Sequence, residues 1–342
     1  LNASVAFQIV GCFFGAKKMP HHIEEHDSMI AVGTRPWHGL GVTLAEPPAT
    51  AEEALQLAGC SWTVSKRKMF LEDGAPVKIA GAVNRNNNGY PGAIVRDDTN
   101  EVLGVVGAGY VPMQNSQIAN LYQPLIDEGI VDIDTCGSLW NGRRVWMLAK
   151  FKNSGEVIDT NDTVSRYLML SHGHDGQMAV RFGLTYVRVV CWNTLSLAVS
   201  RGTALTKCLH TTNLIGNLET LRSFVMSNDE NFALTAEVYR KLAQKTISRA
   251  SLREYARQLV KAPEDQSDWN KVQADKIGQI VGMAMQGRGN SGQNWWHAYN
   301  GATEYLTWAA GRNKQTRFNN LWFGQNLSTN TEALELALSL SA

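Results

Sequence analysis

The chain has 342 residues, of which 44% are hydrophobic and 18% charged, with a formal net charge of +1. That composition excludes a disordered or fibrous protein, and the near-neutral balance means that any nucleic-acid role must rest on a local patch. No apolar run approaches the roughly 20 residues that a membrane helix needs, so a soluble protein with no membrane partner is expected.

Five cysteines (Cys12, Cys60, Cys136, Cys191 and Cys208) are odd in number, scattered and without a CxxC pair, which fits reduced thiols in a cytosol. The opening "LNASVAFQIVGCFFGAKK" places its lysines after the apolar stretch, whereas a secretory signal places them before it. The expected start is therefore Met19, with residues 1–28 a disordered or non-native extension. His22 and His26 stand four apart, but no apolar period supports a helix there, and no metal is expected.

Thr50, with Glu53 three residues on, predicts a capping box ahead of Ala54, Leu55, Leu57 and Ala58, and Gly59 stops that helix. From Trp62 to Met113 short β-prone runs are separated by turn signals at Asp73-Gly74, Asn86 to Gly89 and Asp97-Asp98. "NSQIANLYQPLIDEG" predicts a second helix, with Asn115 capping and Ile118, Leu121, Tyr122 and Leu125 on one face. The glycines of "GVVGAGYVP" read GxxGxG rather than GxGxxG, so this segment is a plain turn, and no cofactor is expected.

Sheet resumes with "DIDTCGSLWNGRRVWMLAKF", where Asn141-Gly142 is a hairpin signal, and runs to about His210. Beyond that the pattern is helical: Ile215 to Leu242, Ile277 to Ala284, Trp295 to Trp308 and Glu332 to Leu340. The expected fold class is α+β: an antiparallel, hairpin-rich sheet with two helices over 29–212, then a helical part over 213–342 packed on it as one domain.

Inside "LSHGHDGQMAVRFGLTYVRVVCWNTL", alternation sets Met178, Val180, Phe182, Leu184 and Tyr186 on one strand face and Arg181, Thr185 and Val187 on the other. Arg188 then falls on the apolar side: either a bulge near Gly183 resets the register or, the favoured reading, Arg188 is buried in a pair with Asp175. A short helix is expected from Asn193 or Thr194. Cys191, just ahead of that helix, is a candidate nucleophile with His174 or His210 as base, or equally a buried structural thiol. The alternative class is thus a thiol enzyme, although no enzymatic activity is favoured.

Residues 140–210 hold nine lysines and arginines against four acids, an excess of +5, interleaved with aromatics. Arg143, Arg144, Arg181 and Lys207 are the candidate phosphate contacts of a single-stranded DNA surface. A third reading is an interaction module for a host or phage protein, with "NWWHAYNGATEYLTW" as its face.

"TRPWHGLG", "AGYVPMQNSQ", "GSLWNGRRVWMLAKF", "YLMLSHGHDG", "YVRVVCWNTL", "HTTN" and "AYNGATEYLTW", in that order, resemble the phage/plasmid-like family carrying domain of unknown function 932. The resemblance implies a protein encoded by bacteriophages, prophages or plasmids and acting in the bacterial cytoplasm. It brings no established activity and no catalytic residues.

Overall fold

The computed structural model describes residues 28–33, 41–78, 91–159, 162–188, 193–195, 205–208, 229–312, 316–317, 320–321 and 324–342. The architecture is α+β, with strands dominating the first part and helices the last.

Helix α1 (Ala51–Leu57) begins where the Thr50 hydroxyl accepts from the Glu53 amide at 3.1 Å. The Glu53 carboxylate reaches back one residue further than a capping box requires, accepting from the Ala49 amide at 2.7 Å. A small antiparallel sheet follows, made of β3 (Val64–Lys68), β4 (Gly92–Arg96) and β5 (Val102–Val106). Helix α2 (Asn115–Asp127) is capped by Gln114 together with Gln117, not by Asn115. Moving the cap one residue back turns the Asn115 amide into the protein interior.

The large sheet contains β1 (Met29–Val32), β2 (Val42–Leu44), β6 (Val131–Leu139), β7 (Arg144–Asp159), β8 (Asp162–Gly173), β9 (Val180–Arg188), β10 (Asn193–Leu195) and β11 (Leu205–Cys208). Its order is β10-β9-β8-β7-β6-β1-β2, with β11 also on β9, and all pairs are antiparallel except β1 with β2. The helix expected at Asn193 is a strand: Asn193 to Leu195 pair with Arg188 to Tyr186. The open edge of β9 supplies ladder partners there, which a three-residue helical turn could not match. Strand β8 is buried on both faces, and its middle, Tyr167 to Leu170, is a continuous apolar run rather than an alternating one.

One face of this sheet carries two cores side by side. The first packs α1 and α2 on Val145, Met147, Ala149, Leu168, Leu170 and Leu184. Within it, the Tyr122 hydroxyl donates into the sheet, 2.8 Å from the Met147 carbonyl and 3.0 Å from that of Leu168. The second core packs five helices against Ile158, Val164 and Tyr186. These are α3 (Asp229–Gln244), α4 (Arg249–Val260), α5 (Lys271–Gln286), α6 (Trp295–Trp308) and α7 (Gln325–Leu340). Helix α6 is buried almost all round, with Trp296, Tyr299, Ala302 and Thr303 at zero exposure. It is the hub of the helical part and therefore offers no face to a partner.

The two parts meet at Arg188, which is fully buried but does not pair with Asp175. Its partner is Asp162, whose two carboxylate oxygens accept from Nε at 2.8 Å. Register explains the difference. Arg188 lies opposite Val164 on β8, two residues from Asp162, whereas Asp175 lies near the start of β9, about 26 Å away along a strand of 3.3 Å rise. The remaining N–H groups reach the α5–α6 connection: Nη1 donates to Asn290 Oδ1 at 2.8 Å and to the Arg288 carbonyl at 3.2 Å, and Nη2 to the Gly289 carbonyl at 2.8 Å. Trp296 Nε1 completes the site with a 2.7 Å bond to Asp162.

Arg188→Met strands a buried carboxylate and three acceptors, and should cost about 3–5 kcal/mol in urea unfolding, with Asp162→Asn added on top restoring part of the loss. A second carboxyl, that of the half-buried Asp134, sits at the bulge where the β6–β7 register shifts. Burial raises its carboxyl to about 7, against the pull of Lys150. A raised folded pKa contributes stability that is complete below about pH 4 and lost as pH rises through 7. Stability should therefore fall across that window, and Asp134→Asn should flatten the slope and gain about 1–2 kcal/mol near pH 8.

Candidate functional site

The β6–β7 hairpin turns through Trp140, Asn141 and Gly142, with φ of +53°, +58° and +96°. Two backbone bonds of 3.2 Å close it, Gly142 to the Leu139 carbonyl and Arg143 to that of Trp140. Asn and Gly suit this left-handed backbone, but a bulky aromatic does not, and such a residue costs on the order of 1–3 kcal/mol unless its surroundings hold it. At position 142 a side chain is excluded twice over, by φ and because a Cβ would sit 2.5 Å from the Trp62 ring.

What holds the tip is a buried polar cluster beneath it. The Arg96 guanidinium lies 4.5 Å over the Trp62 ring, clasps Asp98 through bonds of 2.7 and 2.9 Å, and donates to the Asn141 carbonyl at 3.3 Å. Those bonds hold the Asp98 carboxyl below its ordinary range. Trp62 leans on the His174 ring at 5.3 Å, and His174 meets His172 edge-on at 4.5 Å, both histidines being fully buried. The Asn115 amide nitrogen donates to the Cys60 and Trp62 carbonyls, which leaves its oxygen to accept from His174 Nε2 at 3.0 Å. His174 Nε2 thus carries the proton in this arrangement. The small sheet, α2 and the end of β8 are locked together under the turn, and the His174 amide adds a 3.0 Å bond to the Arg143 carbonyl.

Above the cluster, cations gather. Arg144 is ion-paired with Asp175, and its guanidinium lies 5.7 Å from the half-buried Trp140 ring. Arg143, one residue earlier, is exposed. Trp146, Ser171 and Arg181 lie in one register row, so Arg144, two residues before Trp146, shares a sheet face with Arg181. The Arg181 guanidinium is lowered from its ordinary value, first by burial and then by the like charge of Arg144. Strand β11 sets Lys207 in register with Arg181. The structure therefore brings Arg144, Arg181 and the Lys207 position to one face, and leaves Arg143 at the tip. A cavity of about 150 Å³ opens beside it, lined by Glu101, Val102, Leu103, Trp140, Asn141 and Arg143.

Asp175, read as the partner of Arg188, instead anchors Arg144. Cys191 and His210 lie outside the described residues, as do Met19, His22 and His26. His174, the other candidate base, is committed to Asn115 through Nε2. In the glycine-rich turn, the carbonyls of Gly107, Ala108 and Tyr110 accept from Lys66 Nζ at 2.8, 2.5 and 3.3 Å, an arrangement that presents acceptors rather than the N–H donors a phosphate would need. No group of three metal-ligating side chains, and no helix long and apolar enough to cross a membrane, occurs among the described residues.

A family model described as "Domain of unknown function (DUF932)" matches residues 102–332, about two-thirds of the chain. The match takes in the hairpin tip, the long strands β7 to β9 and helices α3 to α6. Strands β3 and β4, which supply Arg96 and lie next to Trp62, fall outside it. No curated protein and no solved structure matches.

The geometry of the tip gives one direct test. Gly142→Ala forces a Cβ into Trp62 at a backbone angle that alanine avoids, and should lower the unfolding free energy by about 2–4 kcal/mol, read from the denaturation midpoint.

Proposed function

Since the chain belongs to the DUF932 family, whose description names no activity, we propose its role from the geometry: a single-stranded-DNA-binding or annealing-type accessory protein. The observation that carries this reading is Trp140, an aromatic ring held in left-handed backbone beside Arg143 and Arg144. A bulky side chain in that conformation is a local cost that the buried cluster sustains, and such costs concentrate where a side chain must be presented. Its neighbours supply what a single strand needs. A base stacks on the indole, while Arg143, Arg144 and Arg181 reach successive phosphates, with Lys207 further along the same register. Asp175 orients Arg144 without neutralising the group, because Arg181 lies close by.

The resemblance to phage- and plasmid-borne proteins adds a setting, DNA metabolism of a mobile element in a bacterial cytoplasm. A thiol enzyme using Cys191 receives no support from the described residues, since Cys191 itself and His210 lie outside them.

Fluorescence anisotropy with labelled oligonucleotides tests the proposal. Single strands should bind more tightly than duplex, and affinity should fall steeply between roughly 50 and 200 mM salt. Arg143→Ala with Arg144→Ala should reduce the salt slope by about two, one for each phosphate that no longer meets a guanidinium. Trp140→Ala should weaken binding by about 1–3 kcal/mol and leave the slope unchanged, because stacking releases no counterions. Absence of binding at low salt, or a double arginine variant that behaves as wild type, refutes the reading.

A further inference from the structure

The helical part carries a groove of about 580 Å³ between α4 and α5, far from the hairpin tip in the chain and unrelated to the site above. Its floor is apolar. Ala274, Ile277, Gly278 and Val281 stand at i, i+3, i+4 and i+7 on α5, with Ala250 facing them from α4. These positions span about 10 Å of helix, or two turns. Gly278 is exposed, and a Cβ there would meet nothing within 4 Å, so the surface above it is open. Trp269 closes one end, its ring fixed by a 2.8 Å bond from Nε1 to the Pro263 carbonyl.

The rim is charged in one sense. Arg249 and Arg253, one turn apart on α4, both line the groove and are exposed. The ion pairs of α4 among the described residues are Arg257 with Glu254 and Lys261 with Glu332, which leaves these two guanidiniums unneutralised. The first turn of α4 contains no acidic residue, so Arg249 also stands against the positive end of its own helix. An apolar trough two turns long, with a doubly cationic rim and a glycine where a backbone can approach closely, has the shape and charge of a seat for another helix.

We infer that this groove binds an amphipathic helix of a partner protein, one with apolar residues at i, i+3 or i+4 and i+7 and with acidic residues three or four apart that meet Arg249 and Arg253. A nucleic acid fits less well. The floor, formed by Ala250, Ala274, Ile277, Gly278 and Val281, offers no polar side chains to bases.

The test uses the full chain as bait for a display library of 16-residue peptides with a fixed helical apolar frame and all other positions random. A parallel selection uses Gly278→Leu, which fills the groove from an exposed helix surface that has room for it; thermal unfolding checks that this variant keeps its fold. Selected peptides should be rich in Asp and Glu at i, i+3 or i+4 spacing. A synthetic representative, followed by tryptophan fluorescence, should bind roughly tenfold more weakly to Gly278→Leu and to Arg249→Glu with Arg253→Glu. Trp140→Ala should leave it unaffected, which separates this inference from the DNA reading. Equal enrichment on the Gly278→Leu bait, or selection of neutral or basic sequences, overturns it. So does displacement of the peptide by an oligonucleotide, or a dimer in sedimentation that Gly278→Leu dissolves.

Discussion

The fold depends on how one guanidinium is satisfied. Arg188 ends β9 where the sheet meets the helical part, and its five N–H groups are divided between a carboxylate of β8 and three acceptors in the α5–α6 connection. A buried arginine is costly unless every donor is met. The pair with Asp162 alone would leave donors unmet, and the loop acceptors alone would leave a charge uncompensated. Only the sheet and the helices together meet both conditions. The contact is therefore worth more for specifying how the helices seat on the sheet than for raw stability, and Trp296, bonding the same carboxylate from α6, extends that specification into the helical hub.

The opposite end of the same long strands is fixed by a second buried polar cluster of different chemistry. There Asn115, His174, Trp62 and Arg96 connect the small sheet and α2 to the end of β8, and the product is a hairpin tip that keeps a tryptophan at positive φ. Strands β7 to β9 are thus tied at both ends, and the cations of their exposed end stand on a rigid base. A binding surface built on strands that cannot shift register loses little entropy when a ligand arrives, which is the advantage of a preorganised site.

Much of this was legible in the sequence, and the failures share a cause. Asn141-Gly142 announced its hairpin because turn chemistry is local, and the α+β order followed from the switch of period along the chain. The burial of Arg188 could be read from alternation, but its partner could not. Asp162 and Asp175 are both close to β9 in sequence terms, and only strand direction and register, set by the whole sheet, decide between them. Asn115 and Asn193 failed in the same way: each looked like a cap, and each was drawn elsewhere by a tertiary partner, one by His174 and the other by the edge of β9. Helix α4, absent from the expected elements, does keep a helical period in Leu252, Tyr255, Ala256 and Leu259, a narrow stripe among charged neighbours.

The near-neutral charge of the chain sharpens the meaning of its local imbalances. With +1 overall there is little long-range field to gather polyanions, so whatever affinity the surface has must come from close contact. On the sheet face, Arg144 is paired with Asp175, and its charge adds to burial in making the Arg181 guanidinium less favourable. At the start of α4, two guanidiniums face a groove whose lining contains no acid. On the sheet face the free protein already bears an electrostatic cost that an anion of the right shape would relieve, and at the groove two exposed guanidiniums stand open to one. The two sites differ in what surrounds the charge: a half-buried indole and strand face at one, an apolar trough between helices at the other. Charge favours a negatively charged partner in each case, and the apolar surroundings then separate a nucleic-acid strand from an acidic helix.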